Sequence, residues 1–205
     1  MPESAGAAPF KFGAVVLAAG GSSRMGTPKQ LLEIDGLPLV ARAADAVIRS
    51  GASPIVLVLG AEAERVRAAV AGRPLLVVPN PEWGTGIASS IRAGIAALVS
   101  AEPGLDAALI STSDQPALSG EVILRLLALH RASGRIASAR YAGRNGAPAI
   151  FGRGRFAELM GLAGDEGARR LLNSDAGGVV AAEFPDLEHD IDTFADLDDW
   201  KRRSL

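Results

Sequence analysis

Residues 14–29 read Ala-Val-Val-Leu-Ala-Ala-Gly-Gly-Ser-Ser-Arg-Met-Gly-Thr-Pro-Lys, an apolar run that leads into a glycine-rich loop. A continuous apolar run closed by glycine is typical of a strand buried on both faces of a sheet. Glycines let backbone N–H groups converge on an anion, and Arg24 and Lys29 add positive charge. The stretch therefore predicts a buried first strand and a loop suited to a nucleoside triphosphate; a solvated surface loop is the alternative.

Outward from this stretch, apolar strands alternate with amphipathic helices. The pattern predicts strands at 55–59, 75–78 and 107–111, and helices near 39–48, 62–71, 85–100 and 121–132. Beyond residue 135 it indicates strands at 147–151 and 179–184, helices at 155–162 and 166–173, and a final helix opened by a capping box from Thr193 to Asp196. Such alternation predicts a three-layer α/β/α fold around a mostly parallel, Rossmann-like sheet.

The composition limits the kinds of function that are open to the chain. Its 205 residues, 48% of them apolar, fit a disordered lead-in over 1–12 and a single domain over 13–205. The absence of cysteine excludes thiolate metal sites and a cysteine nucleophile. A net charge of −2 and 4% aromatic residues argue against nucleic-acid binding, and no apolar run is long enough to span a membrane. Without a secretory signal, we expect a cytoplasmic protein.

The segments that follow the predicted strands hold the candidate site residues, because ligands of such sheets bind beyond the carboxyl ends of the strands. After the third strand, Ser89 and Ser90 lie in the first turn of a helix, where they either read a base or ribose or merely cap and pack. After the fourth strand, Asp114 lies in a turn stiffened by Pro116. Its carboxylate is either a Mg²⁺ ligand or a turn cap.

A second acidic segment lies near the end of the chain. Asp190 and Asp192 flank Ile191, so both carboxylates face the same way on an extended segment. One of them would complete a metal site with Asp114, and the alternative is a solvated acidic edge.

Taken together, these segments resemble the nucleotidyltransferases related to the molybdenum cofactor guanylyl- and cytidylyltransferases. The segment from Leu17 to Lys29 matches the family signature at every fixed position. The resemblance runs in family order from about residue 13 to residue 200. Its further motifs are Asn80 with Trp83-Gly84, Gly86 and Ser89-Ser90, then Asp114-Gln115-Pro116, Asn145 to Phe151, Gly164 to Arg169, and Asp190 to Thr193.

The resemblance implies a fold of the nucleotide-diphospho-sugar transferase (GT-A-like) type and Mg²⁺-dependent transfer of CMP from CTP. Ala19 stands where guanylyl enzymes carry glycine, which implies a pyrimidine nucleotide. The implied acceptor is molybdenum-bound molybdopterin, with pyrophosphate as by-product and transient contact with a molybdoenzyme or its chaperone. Many relatives place histidine where this chain has Ala147, a departure at the acceptor end of the site.

Individual residues are expected to take part in catalysis, nucleotide binding or metal binding. The residues expected to be catalytic are Arg24, Lys29 and Asp114; those expected to bind nucleotide are Leu17, Ala18, Ala19, Gly20, Gly21, Lys29, Ser89, Ser90 and Asp114. The metal is expected on Asp114 and Asp192, with Asp190 as the alternative second ligand. Segments 145–148 and 164–169 are expected to face the pterin. Two other functions stay open: a cytidylyl- or uridylyltransferase acting on a sugar or polyol phosphate, and a non-catalytic nucleotide or cofactor escort for a molybdoenzyme.

Overall fold

The computed structural model describes residues 9–21, 25–173 and 178–203. The strands are β1 (Phe12–Ala18), β2 (Glu33–Ile34), β3 (Leu37–Pro38), β4 (Ile55–Leu59), β5 (Leu76–Pro79), β6 (Ala107–Thr112), β7 (Ile136–Tyr141), β8 (Arg144–Gly152) and β9 (Val179–Glu183). The α-helices are α1 (Leu39–Arg49), α2 (Ala63–Ala69), α3 (Ile87–Ala101), α4 (Gly120–Ser133), α5 (Phe156–Met160), α6 (Arg169–Asn173) and α7 (Phe194–Arg203). None of the helices within these ranges has the length and apolarity of a membrane span.

Seven strands form the central sheet in the order β5-β4-β1-β6-β8-β7-β9, and β2 and β3 form a separate small hairpin. Neighbouring strands from β5 to β6 are parallel, as are β7 and β9. Strand β8 alone runs against its two neighbours in this sheet. The prediction of a mostly parallel sheet is confirmed, and β8 is the reversed strand within it.

Helices cover both faces of the sheet, as strand β1 shows residue by residue. Ala14, Val16 and Ala18 pack into one apolar cluster with helices α1, α2 and α4. Val15 and Leu17 pack into a second cluster with helices α3, α5 and α6. Because alternate side chains of one strand enter opposite cores, every residue of β1 is buried, which explains its unbroken apolar sequence.

Helix α3 lies directly against the sheet at Gly94. A Cβ atom at this position would come within 2.3 Å of Cγ1 of Val15, so only glycine allows this approach. The helix runs back from the carboxyl edge of the sheet, so its first turn lies beside the loop that follows β1. The close packing therefore fixes one wall of the candidate site.

The structure adds a strand, β7, which the sequence pattern did not predict, and extends β8 back to Arg144. The two strands are joined by Ala142 and Gly143, whose φ angles of 47° and 72° place both in the left-handed region. Tight hairpin turns of this kind usually carry Asn-Gly or Asp-Gly, and alanine at the first position concealed the turn. The helix predicted at 155–162 covers only Phe156–Met160, and the helix predicted at 166–173 begins at Arg169, after Gly167 with its positive φ angle of 55°.

The chain enters β1 earlier than expected. Residue Phe12, the last of the predicted lead-in, already belongs to β1, and the backbone N–H of Lys11 donates to Asp106 at 2.8 Å. Residues 1–8, which form most of the predicted lead-in, lie outside the described ranges.

Candidate functional site

The backbone from Ala18 to Gly20, where the loop after β1 begins, is held by Gln30. This side chain is 1% exposed, and its amide nitrogen donates to the carbonyls of Ala18 at 3.2 Å and Gly20 at 2.8 Å. Two backbone acceptors are thus satisfied from the buried side, which supports the backbone between Ala18 and Gly20. Sequence reasoning missed Gln30; the only signal was its position directly after Lys29.

Lys29 lies between two carboxylates that come from distant parts of the chain. Its Nζ atom is 2.6 Å from Oδ2 of Asp114, which follows β6, and 2.7 Å from Oδ1 of Asp192. The Lys29 and Asp114 side chains are largely buried, whereas that of Asp192 is half-exposed. The structure therefore brings together the predicted catalytic lysine and both predicted metal ligands.

Two pKa values in this cluster depart from their ordinary range. Burial would lower the pKa of the Lys29 ammonium, but the charges and hydrogen bonds of Asp114 and Asp192 outweigh it, and the net pKa is raised. Residue Asp190 is exposed as a whole, but neighbouring protein shields its carboxyl group from much of the water. Together with the Asp114 charge this raises the pKa of Asp190 to about 7, against opposing effects of Lys29 and a hydrogen bond from Gln115.

The acidic segment is anchored to the Asp114 turn by its backbone. The N–H of Ile191 donates to the carbonyl of Asp114 at 2.9 Å, and the Ile191 side chain is fully buried. Just beyond, the N–H of Thr193 donates to the Asp196 carboxylate at 2.7 Å, and the N–H of Asp196 donates to the Thr193 hydroxyl at 3.2 Å. The predicted capping box is thus present, and it fixes where Asp192 enters the site.

The two predicted serines at the start of α3 are tied to one buried amide. Nδ2 of Asn80 donates to the hydroxyls of Ser89 at 2.9 Å and Ser90 at 3.0 Å. The Ser89 hydroxyl in turn donates to the carbonyls of Gly86 and Glu82. Ser90 lines the cavity described next, whereas the Ser89 hydroxyl is engaged in holding the turn before α3.

A first cavity of about 330 Å³, here called the loop cavity, lies over the glycine-rich loop. Its lining contains every predicted nucleotide-binding residue except Ser89, namely Leu17, Ala18, Ala19, Gly20, Gly21, Lys29, Ser90 and Asp114. Trp83 forms part of the wall, where its ring lies so close to Gly21 that a Cβ atom there would be 3.0 Å from Cζ3. The predicted residues thus enclose one continuous space.

A second cavity of about 270 Å³, here called the strand cavity, lies along β8. It is lined by parts of both predicted acceptor segments, including Asn145, Gly146 and Ala147 of the first and residues 165–169 of the second. Gln115, Tyr141 and Asp190 are among its other polar lining residues. The two cavities share five lining residues: Leu17, Ile87, Thr112, Asp114 and Asp165.

Asp114, which both cavities share, and Asp192 on the other side of Lys29 suit a divalent cation. The positively charged ammonium group of Lys29 lies between Asp114 and Asp192. Oδ1 of Asp114 is buried without a hydrogen-bond partner among the described residues. No three His, Cys, Asp or Glu side chains in those ranges are grouped to hold a metal by themselves. Two carboxylates are sufficient for Mg²⁺, which usually takes its other ligands from water and substrate phosphates.

Of the remaining predicted residues, Arg24 lies outside the described ranges.

Comparison with known proteins adds the family. A family model described as the MobA-like NTP transferase domain matches residues 14–179. Nicotine blue oxidoreductase of Paenarthrobacter nicotinovorans is 39% identical over 77% of this chain and 79% of its own length. The purine catabolism protein PucB of Bacillus subtilis is 31% identical over 95% of this chain and 97% of its own.

A solved structure supports the same relationship. The crystal structure of Rv0371c from Mycobacterium tuberculosis superposes with a TM-score of 0.81 at 31% identity, covering 94% of this chain and 98% of that one. Rv0371c is also known as a complex with manganese, which matches with a TM-score of 0.74 at 29% identity over 94% and 98% of the two chains. The family match spans most of the chain and includes the loop, Lys29 and Asp114, so this protein belongs to the MobA-like NTP transferase family, a family of nucleotidyltransferases.

Proposed function

We propose that the protein transfers CMP from CTP to the phosphate of molybdenum-bound molybdopterin, forming molybdopterin cytosine dinucleotide and pyrophosphate. The observation that carries this proposal is the junction of the two cavities at Asp114. A nucleotidyl transfer needs two substrates whose phosphates meet at one cation, and the loop cavity and the strand cavity supply two such spaces. The bond formed joins the acceptor phosphate oxygen to the α-phosphorus of CTP, and the bond broken releases pyrophosphate.

In this proposal the loop cavity binds CTP. The N–H groups of Gly20 and Gly21 and the Lys29 ammonium bind the triphosphate, and Arg24 adds a second positive charge. Ser90 contacts the nucleoside. The methyl group of Ala19 narrows the space for the base and favours a pyrimidine. Such chemistry asks the protein for positioning and charge neutralisation, which these groups supply.

Asp114 and Asp192 would hold Mg²⁺ at the junction. When bound, the cation supplies charge neutralisation to the triphosphate and to the departing pyrophosphate. The manganese complex of Rv0371c supports a divalent cation in this proposal. The acceptor binds in the strand cavity, and the protein then meets a molybdoenzyme or its chaperone transiently.

The direct test is release of pyrophosphate from CTP with Mg²⁺ and extracted molybdenum cofactor. We expect CTP to be used in preference to GTP, and Asp114→Asn to lower turnover by about 10²-fold or more, the usual loss for one such electrostatic contact. The control is Asp35→Asn. Asp35 is an exposed carboxylate with a φ of 54°, a conformation that asparagine also adopts, and it lies outside both cavities.

The same assay separates the alternatives. Turnover with a sugar or polyol phosphate, and none with the cofactor, would favour a sugar or polyol nucleotidyltransferase. Tight cofactor binding without pyrophosphate release would favour an escort protein. A redox activity like that named for the Paenarthrobacter relative, with no pyrophosphate release, would overturn the proposal altogether.

A further inference from the structure

Three residues that line the strand cavity each have a buried side-chain oxygen atom without a hydrogen-bond partner among the described residues. The three atoms are Oδ1 of Asp114, Oε1 of Gln115 and Oδ1 of Asn145. All three are hydrogen-bond acceptors, and a buried acceptor without a donor is costly, so a structure that retains several along one cavity is suited to a ligand that supplies donors. Asp114 is accounted for by the proposed metal site, whereas Gln115 and Asn145 have no role in it.

The hydrogen bonds of the Gln115 and Asn145 side chains identify the oxygen of each amide as the atom without a partner. Nδ2 of Asn145 donates to the carbonyl of Leu172 at 3.0 Å, and Nε2 of Gln115 donates to the carbonyl of Leu187 at 3.1 Å. Since a carbonyl only accepts, each NH₂ group must face it, and each amide oxygen is the atom that remains. Gln115 is further held by Tyr141, whose hydroxyl accepts from Nε2 at 3.2 Å and donates to the carbonyl of Ala147 at 3.0 Å.

The rest of the cavity lining favours a flat ring. Its buried apolar part includes Ile91, Ile110, Ala149 and Phe151, which offer no hydrogen bonds to a ligand. A planar heterocycle stacks its faces on such side chains and keeps its N–H groups at the ring edge. A sugar or polyol carries hydroxyls on all sides and would bury several of them against the same apolar surface without partners.

We propose that Gln115 and Asn145 select the acceptor by accepting hydrogen bonds from edge N–H groups of a flat nitrogen heterocycle in the strand cavity. The inference rests on the proposed function, because it takes the strand cavity as the acceptor half of the site. Gln115 and Asn145 are the residues that recognise the ring, and each recognises an N–H group. Arg144 and Arg169 line the same cavity and offer positive charge to an anionic substituent of that ring.

The test uses pterin as a fluorescent probe of the heterocycle, titrated with CTP and Mg²⁺ present. Asn145→Leu and Gln115→Leu are each expected to weaken pterin binding by about 3- to 10-fold, the range of one lost hydrogen bond, and to leave CTP binding unchanged. The matched control is Asn173→Leu. The Asn173 amide also donates to a backbone carbonyl, that of Arg169 at 2.8 Å, but the side chain is exposed and outside the cavity.

A second measurement needs no variant and so does not depend on folding. Pteridin-4-one keeps the bicycle of pterin but lacks the exocyclic amine, and we expect the unaltered protein to bind it about 3- to 10-fold more weakly. Equal affinity for both rings, or unchanged pterin binding in Asn145→Leu and Gln115→Leu, would overturn the inference. Those results would leave pyrophosphate release from CTP untouched, and so the proposed function would stand or fall separately.

Discussion

Nζ of Lys29 lies 2.6 Å from Oδ2 of Asp114, and the same ammonium group reaches Asp192 on its other side. The lysine therefore occupies the space between the two carboxylates that are proposed to hold the divalent cation. Both positive charges cannot share this position, so a cation that enters must displace the ammonium group. The triphosphate then offers the displaced lysine a new partner.

Removal of Lys29 is accordingly expected to strengthen metal binding in the absence of nucleotide. We expect Lys29→Met to bind Mn²⁺ at least about tenfold more tightly than the unaltered protein, equivalent to about 1.4 kcal/mol. Binding is measured by electron paramagnetic resonance, in which free Mn²⁺ gives the signal. Lys11→Met is the control, since Lys11 forms a surface ion pair with Glu102. Unchanged affinity in Lys29→Met would contradict the competition.

The raised pKa of Asp190 should make the stability of the metal-free protein depend on pH. Its pKa is raised from 3.8 to about 7, so between these values the folded state binds more protons than the unfolded state. The free energy of unfolding should therefore fall as the pH rises from about 4 to about 7. Asp190→Asn should remove this contribution and flatten the profile, measured by urea unfolding with EDTA. Asp186→Asn, an exposed carboxylate of the same segment, is the control; equal slopes for the two variants would refute the assignment.

The Ala19 side chain should influence which nucleotide base the loop cavity accepts. We expect CTP to raise the melting temperature more than GTP or ATP, because the Ala19 methyl group narrows the space for the base. A ligand at a hundred times its Kd adds about 2.7 kcal/mol of stability, so the shift is measurable. Ala19→Gly removes the methyl group from the loop cavity and should narrow the difference between CTP and GTP. A larger response to GTP in the unaltered protein would show that this methyl group does not select a pyrimidine.

The hydrogen bonds of Gln30 should matter for CTP binding as well as for stability. Gln30→Met leaves the carbonyls of Ala18 and Gly20 without this donor and should cost about 1–3 kcal/mol of stability. It should also raise the KM for CTP, because the backbone from Ala18 to Gly20 loses this support. Val70→Ala, a core truncation outside both cavities, is the destabilised control. If both variants keep the KM of the unaltered protein, Gln30 is merely structural.

Local sequence patterns predicted the features that depend on neighbours along the chain. The strand at 55–59, the glycines directly after β1 and the Thr193 capping box follow from periodicity, glycine and cap chemistry, and the structure has them in place. The roles of Gln30 and Asn80 were not predictable in this way. A buried amide is recognised as a positioning group only when its distant partners are known.

The ion pairs at the centre of the site show the same limit. Lys29 is separated from Asp114 by 85 positions and from Asp192 by 163 positions. The topology of parallel strands predicted that the ends of β1 and β6 would meet, but not that a lysine would stand between the acids. Strand β7 was not predicted for a local reason. The turn that follows it contains Ala142 in a left-handed conformation, which alanine rarely adopts.

The reversal of β8 has a consequence for how this scaffold can diversify. Because β8 runs against β6, its first residues and the turn from Tyr141 to Arg144 lie at the same edge as the ends of the parallel strands. The β7–β8 hairpin tip thus borders the strand cavity, the proposed acceptor half of the site. Because β6 pairs with β8 only from Ala149 to Gly152, we expect a change in the length of the tip to reshape the strand cavity more than the proposed nucleotide-binding loop.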